Sequence, residues 1–60
     1  MIELPAEIGS VWINPEYAQA INVAYDGPPR IWRVSMRDGL FVLVVDSDAL
    51  EQLKRMKEEG

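Results

Sequence analysis

Short apolar runs and apolar–polar alternations, cut by proline, glycine, asparagine and aspartate, fill the first 45 positions, and the pattern then changes to the three-and-four spacing of a helix. Met1 to Leu4 alternate until Pro5 stops them, and Gly9-Ser10 resets the chain before Val11-Trp12-Ile13. This predicts a first hairpin with its loop over residues 5–9. Asn14-Pro15 ends the second strand, because the residue before proline is pushed out of the helical region and asparagine bonds its own backbone. Gln19, Ile21, Val23 and Tyr25 then alternate with smaller or polar residues. A third strand is expected there, with Ile21, Val23 and Tyr25 toward a core, although Ala18 and Ala20 leave a helical turn over residues 16–20 open. Asp26-Gly27-Pro28-Pro29 breaks the chain, since neither proline can donate a ladder hydrogen bond.

Residues 32–45 carry the strongest local signal, two β-favouring runs meeting at Asp38-Gly39. A two-residue type I′ turn on that pair sets Arg37 opposite Leu40, then Met36 with Phe41, Val34 with Leu43 and Trp32 with Val45. In that register one face is wholly apolar. The other face presents Ile31, Arg33, Ser35 and Arg37 with Leu40, Val42, Val44 and Asp46. It is too apolar for plain solvent and too cationic for plain core, which marks Arg33, Arg37, Val42 and Val44 as candidates for an assembly or binding surface.

Asp46-Ser47-Asp48 offers several helix caps, and Asp48 with Glu51 has the spacing of a capping box. Ala49, Leu50, Leu53 and Met56 then form one apolar stripe, flanked by Glu51 with Arg55 and Lys54 with Glu58 at four-residue spacing. A helix of about ten residues, fraying over residues 58–60, does not persist alone in water, so the stripe must lie on the sheet or on a neighbouring subunit. The expected fold class is α+β: a single domain over residues 1–60, a small curved antiparallel sheet of four to five strands built from two hairpins, with a C-terminal helix.

Composition sharpens this picture. Sixty residues are few for a stable core, and the absence of cysteine and histidine removes disulfides, histidine-based metal sites and histidine-activated nucleophiles. Oligomerisation is the remaining reinforcement. The longest apolar run, residues 40–45, is too short to span a bilayer, and the first residues lack the pattern of a secretory signal, so a soluble, cytoplasmic protein is expected. Six basic against ten acidic residues, a net charge of −4, argue against non-specific attraction to nucleic acid or anionic lipid.

Candidate chemistry is sparse. No pair of acid or base groups is forced by spacing into a cleft, the isolated glycines build no phosphate-cradling loop, and Asp46 and Asp48 read as helix caps before they read as a metal site. No catalytic residue, cofactor or metal is therefore expected, and the chain reads as a non-enzyme. Trp12 points away from Val11 and Ile13 and sits near Tyr17 beyond the Asn14-Pro15 turn, so this aromatic pair is either a binding hot spot or a cover for the end of the sheet. Trp32 reads as core. Arg30, Arg33 and Arg37 lie in a stretch without acids and form the candidate anion site, for a nucleotide or similar small ligand. Single-stranded nucleic acid would want aromatics on the same face as the arginines, and they fall on the other.

The order of motifs, Met1-Ile2-Glu3-Leu4, a glycine-bearing turn, Val11-Trp12-Ile13-Asn14-Pro15, then Met36-Arg37-Asp38-Gly39-Leu40, Val44 and an acid-capped helix, resembles the small FlbD/SwrD-type proteins associated with bacterial flagella. The resemblance implies the same small β-rich fold, a motility accessory role and no catalytic residues. The Asp26-Gly27-Pro28-Pro29 insertion and the Trp32-bearing strand depart from that family's pattern. Very short acidic chains of this kind also resemble phage proteins that act by occupying a host protein. The expected function is thus a homo-oligomeric protein-binding module, an adaptor or inhibitor whose partners are itself and a protein target, with anionic-ligand binding or a flagellar role as the alternatives.

Overall fold

Turn chemistry divides the chain into five strands and one helix: β1 (Ile2–Pro5), β2 (Ser10–Ile13), β3 (Ala18–Asp26), β4 (Arg30–Met36), β5 (Phe41–Val45) and α1 (Asp48–Glu59). The computed structural model describes residues 1–59. The strands form two antiparallel sheets, a β1–β2 hairpin and a three-stranded meander in the order β3-β4-β5, with β1 lying beside β5 and the helix packed on β1. The α+β class and the C-terminal helix are therefore those the pattern predicts, with five strands shared between two sheets.

The first hairpin forms as expected, with its loop one residue shorter because Pro5 ends β1 opposite Ser10. Ala6 N–H donates to the Gly9 carbonyl at 3.1 Å, and Gly9 takes φ +73°, a backbone conformation that glycine adopts without a Cβ penalty. Ile2 pairs with Ile13 and Leu4 with Val11, which sends these four side chains inward and leaves Glu3 and Trp12 outside.

The hairpin at Asp38-Gly39 closes differently from the two-residue turn. Arg37, Asp38 and Gly39 all belong to the loop: Gly39 N–H donates to the Met36 carbonyl at 3.1 Å, Met36 N–H donates to the Leu40 carbonyl at 2.8 Å, and Gly39 lies at φ +93°. A type I′ turn needs positive φ at Asp38 too, and among the described residues only glycines have it. Asp38 instead stays on the ordinary side of the map and its Oδ1 accepts the Leu40 N–H at 3.0 Å, a bond that favours the three-residue loop.

The extra loop residue slides the pairing by one. Trp32 faces Val44, Val34 faces Val42, Arg33 faces Leu43 and Ser35 faces Phe41. A slip of one exchanges the faces of a strand, so Val42 and Val44 turn inward while Phe41 and Leu43, expected in the core, are exposed. Val45 is half-buried opposite Ile31 instead of lying against Trp32.

On the other side of β4, Ile21 faces Val34 and Val23 faces Trp32, and irregularities between Ala18 and Ala20 and between Val23 and Tyr25 bend β3. Val23 and Tyr25, both expected inward, are exposed: Val23 lies on the open edge strand, and the second bulge shifts the alternation before Tyr25. Residues 18–20 are strand, so the helical alternative there is not taken. Gly27 is required by crowding: a Cβ there would run into the Pro29 backbone.

Leu4, Ile13, Ala18, Trp32, Val34, Val44, Leu50 and Leu53 make the core, with Ile2, Val11, Ile21, Met36, Val42 and Ala49 packed around it. The helix starts one residue earlier than the Asp48 cap implies, because Ser47 Oγ accepts the Leu50 N–H at 3.2 Å and Ser47 is the N-cap. Asp48 and Glu51 then occupy the first turn, where negative charge complements the dipole. Leu50 and Leu53 are fully buried in the same chain's sheets, each contributing about 2 kcal/mol of apolar burial, whereas Met56 is exposed. Lys54 pairs with Glu51 at 3.2 Å instead of reaching Glu58, and its Nζ lies 4.3 Å from the centre of the Trp32 ring. The helix continues through Glu59, and residue 60 of the expected frayed end lies outside the described residues. No helix among the described residues is long and apolar enough to cross a membrane.

Candidate functional site

Strand alternation in β2 fixes the direction of Trp12. With Val11 and Ile13 turned to the core, its indole is left 61% exposed. The turn that follows is held by asparagine chemistry: Asn14 Oδ1 accepts the Glu16 N–H at 3.1 Å and the Asn14 carbonyl accepts the Tyr17 N–H at 2.9 Å. Tyr17 is thereby presented at the corner, 62% exposed.

Two longer-range bonds assemble the site. Arg37 N–H donates to the Tyr17 carbonyl at 3.0 Å, which docks the Asp38-Gly39 loop against the Asn14-Pro15 turn. Lys57 Nζ donates to the Pro15 carbonyl at 3.2 Å and brings the end of the helix to the same corner. Between these pieces lies an open groove of about 730 Å³ whose walls include Trp12, Tyr17, Met1, Met36, Arg37 and Asp38. A second hollow of about 520 Å³, walled by Pro15, Glu16, Met56 and Lys57, shares Arg37 with it. The charges around the two are mixed, Arg37 and Lys57 against Glu16 and Asp38, while the walls are aromatic and thioether. Such a surface suits a segment with apolar anchors and polar flanks better than a compact anion.

The three arginines do not converge. Arg30 Nε donates to Asp26 Oδ1 at 2.9 Å, and the Arg30 guanidinium lies 5.9 Å from the Trp32 ring centre. Arg33 lies on the opposite face of β4, about 10 Å further along at ~3.3 Å per residue, with its guanidinium 5.1 Å from the Phe41 ring centre. Only Arg37 reaches the groove. The acids Asp46 and Asp48 flank the helix cap, and among the described residues no three acids group as metal ligands.

Of the face expected to carry Arg33, Arg37, Val42 and Val44, the structure keeps Arg33 outside and replaces the valines by Phe41 and Leu43. Val44 is fully buried and offers no surface to a partner, and Val42 turns inward to pack, partly buried, against the core. Sequence reasoning missed Phe41 and Leu43 because the loop length decided their side, and it missed Met1 and Met36 because only the folded corner sets them beside Trp12. No family model matches the chain, and neither a curated protein nor a solved structure resembles it significantly.

Proposed function

We propose that this chain is a non-enzymatic protein-binding module, an adaptor or inhibitor that works as a homo-oligomer and seats a segment of a target protein in the Trp12–Tyr17–Arg37 groove. The observation that carries the reading is the convergence of two largely exposed aromatic rings on one groove with Arg37 and two methionines. Tryptophan, tyrosine and arginine are the residue types that most often dominate binding energy at interfaces, because they bring large area and a polar tip at low entropic cost. Methionine adds an adaptable apolar wall. An exposed indole costs a small chain solubility, and a partner that covers it explains its place on the surface.

The test is capture from a cell lysate with the tagged chain. One stoichiometric protein should be retained by the native chain and lost with Trp12→Ala, whose measured affinity should fall roughly thirtyfold or more if Trp12 is a hot spot. Leu43→Ala, on the far face of the meander, should bind as the native chain does. Equal recovery by Trp12→Ala and the native chain would remove the groove from the proposal.

A further inference from the structure

We infer that the outer edge of β3 is a self-pairing edge, and that two copies of this chain join through it as a twofold-symmetric antiparallel dimer centred on Asn22. The inference gives an interface to the homo-oligomer proposed above and rests on that part of the reading, not on the groove.

Among the described residues β3 pairs with β4 on one side and with no strand on the other. It is the longest strand, and between Glu16 and Asp26 the sequence has no charged residue and no proline, two of the devices that usually blunt such an edge; a third, the bulge, stands only outside residues 21–23. The backbone direction follows from the neighbouring hairpin. The Met36 N–H to Leu40 bond makes even-numbered residues of β4 bond toward β5, so its odd-numbered residues, Arg33 and Ser35, bond toward β3. Their partners there are Asn22 and Ala20, and by alternation the N–H and C=O groups of Ile21 and Val23 point outward.

The occupant is named by the sequence of the edge itself. Residues 20–24 read Ala-Ile-Asn-Val-Ala, nearly the same in both directions. A twofold axis at Asn22 therefore sets Ala20 opposite Ala24, Ile21 opposite Val23 and Asn22 opposite its own copy, with like against like in size and polarity. The four bonds made by the outward groups of Ile21 and Val23 fall on the pairs flanking the axis, as an antiparallel ladder requires. An isologous contact needs this self-complementarity, and an unrelated strand does not. Ile21 is half-buried and packs against the core, and Val23, 47% exposed, follows it on the same face of β3, so pairing covers apolar surface that one copy leaves open. In a chain of net charge −4, this is also an edge where two copies bring no like charges together. The bulges on either side confine the ladder to its palindromic centre, and the two meanders become one six-stranded sheet.

Sedimentation over a concentration series, with amide hydrogen exchange on the same samples, tests this. The chain should approach twice its 6.8 kDa mass as concentration rises, and the Ile21 and Val23 amides should become protected in step. Val23→Lys should stay monomeric with an unchanged far-ultraviolet spectrum, while Val23→Thr should still dimerise. A dimer whose Ile21 and Val23 amides exchange freely, or one that Val23→Lys leaves intact, overturns the edge and keeps the homo-oligomer. A monomer at every concentration overturns both and leaves the groove to its own test.

Discussion

The two faces of the β3-β4-β5 meander are made from the same kinds of residue and have opposite fates. The inner face sets Trp32, Val34, Val42 and Val44 against Leu50 and Leu53, while the outer face leaves Phe41, Leu43 and Arg33 in view. Leu43 and Val44 are neighbours of similar hydrophobicity, one 42% exposed and the other not exposed at all. Apolar character alone therefore does not decide burial in so small a chain. Register decides it, and register here hangs on one loop residue.

Putting a carboxylate on each face probes the contrast most strongly. Val44→Asp should cost more than about 4 kcal/mol, by loss of burial and by stranding a charge, which is a large share of the ~3–9 kcal/mol a chain of this length holds. Leu43→Asp should stay within about 1 kcal/mol of the native chain in urea melts. The reverse order would mean that the faces are exchanged.

Next in size is the helix side of the inner face. Leu53→Ala should cost about 3 kcal/mol, whereas Met56→Ala, one turn on and exposed, should cost well under 1 kcal/mol; equal losses would show a wider stripe than Leu50 and Leu53 make. The loop that sets the register should be more tolerant. Gly39→Ala forces a Cβ into φ +93° and should cost about 1–2 kcal/mol, and Gly39→Asn less. The smallest energetic change gives the sharpest view of register. Cysteines at 33 and 43, which are paired across β4 and β5, should form a disulfide under mild oxidation, whereas cysteines at 33 and 44 should not.

How much of this was legible beforehand follows from which interactions are local. Pro5, Gly9, Asn14-Pro15, Pro28-Pro29 and Gly39 act on their own backbone, so the breaks between strands could be read from neighbouring residues, while the count stayed at four to five and residues 16–20 stayed open between strand and helical turn. The face assignment could not, because Asp-Gly closes either a two-residue or a three-residue loop. The choice lay with a side-chain bond, Asp38 to the Leu40 N–H. Its consequence spreads to Phe41, Val42, Leu43 and Val44 alike. Trp12 and Tyr17 were legible as exposed aromatics because Val11 and Ile13 claim the inward positions. Their meeting with Arg37 was not, since it depends on a backbone bond between residues 20 positions apart, Arg37 N–H to Tyr17 carbonyl. The three arginines looked like one cluster only while the strand was read as a line, and pleating sends Arg30 and Arg33 to opposite sides.

The Trp32 indole is buried in the core cluster with the Lys54 ammonium over its ring, and among the described residues its Nε1 has no hydrogen-bond partner. Trp12 stands in water at the far corner. The chain thus carries two optical reporters that answer different questions. Light emitted by Trp32 should be blue-shifted and should move to the red when α1 lifts from the sheets, and that of Trp12 should respond when the groove fills. With Trp12→Phe and Trp32→Phe each reporter can be watched alone, so folding and partner capture become separable signals from a single unlabelled molecule.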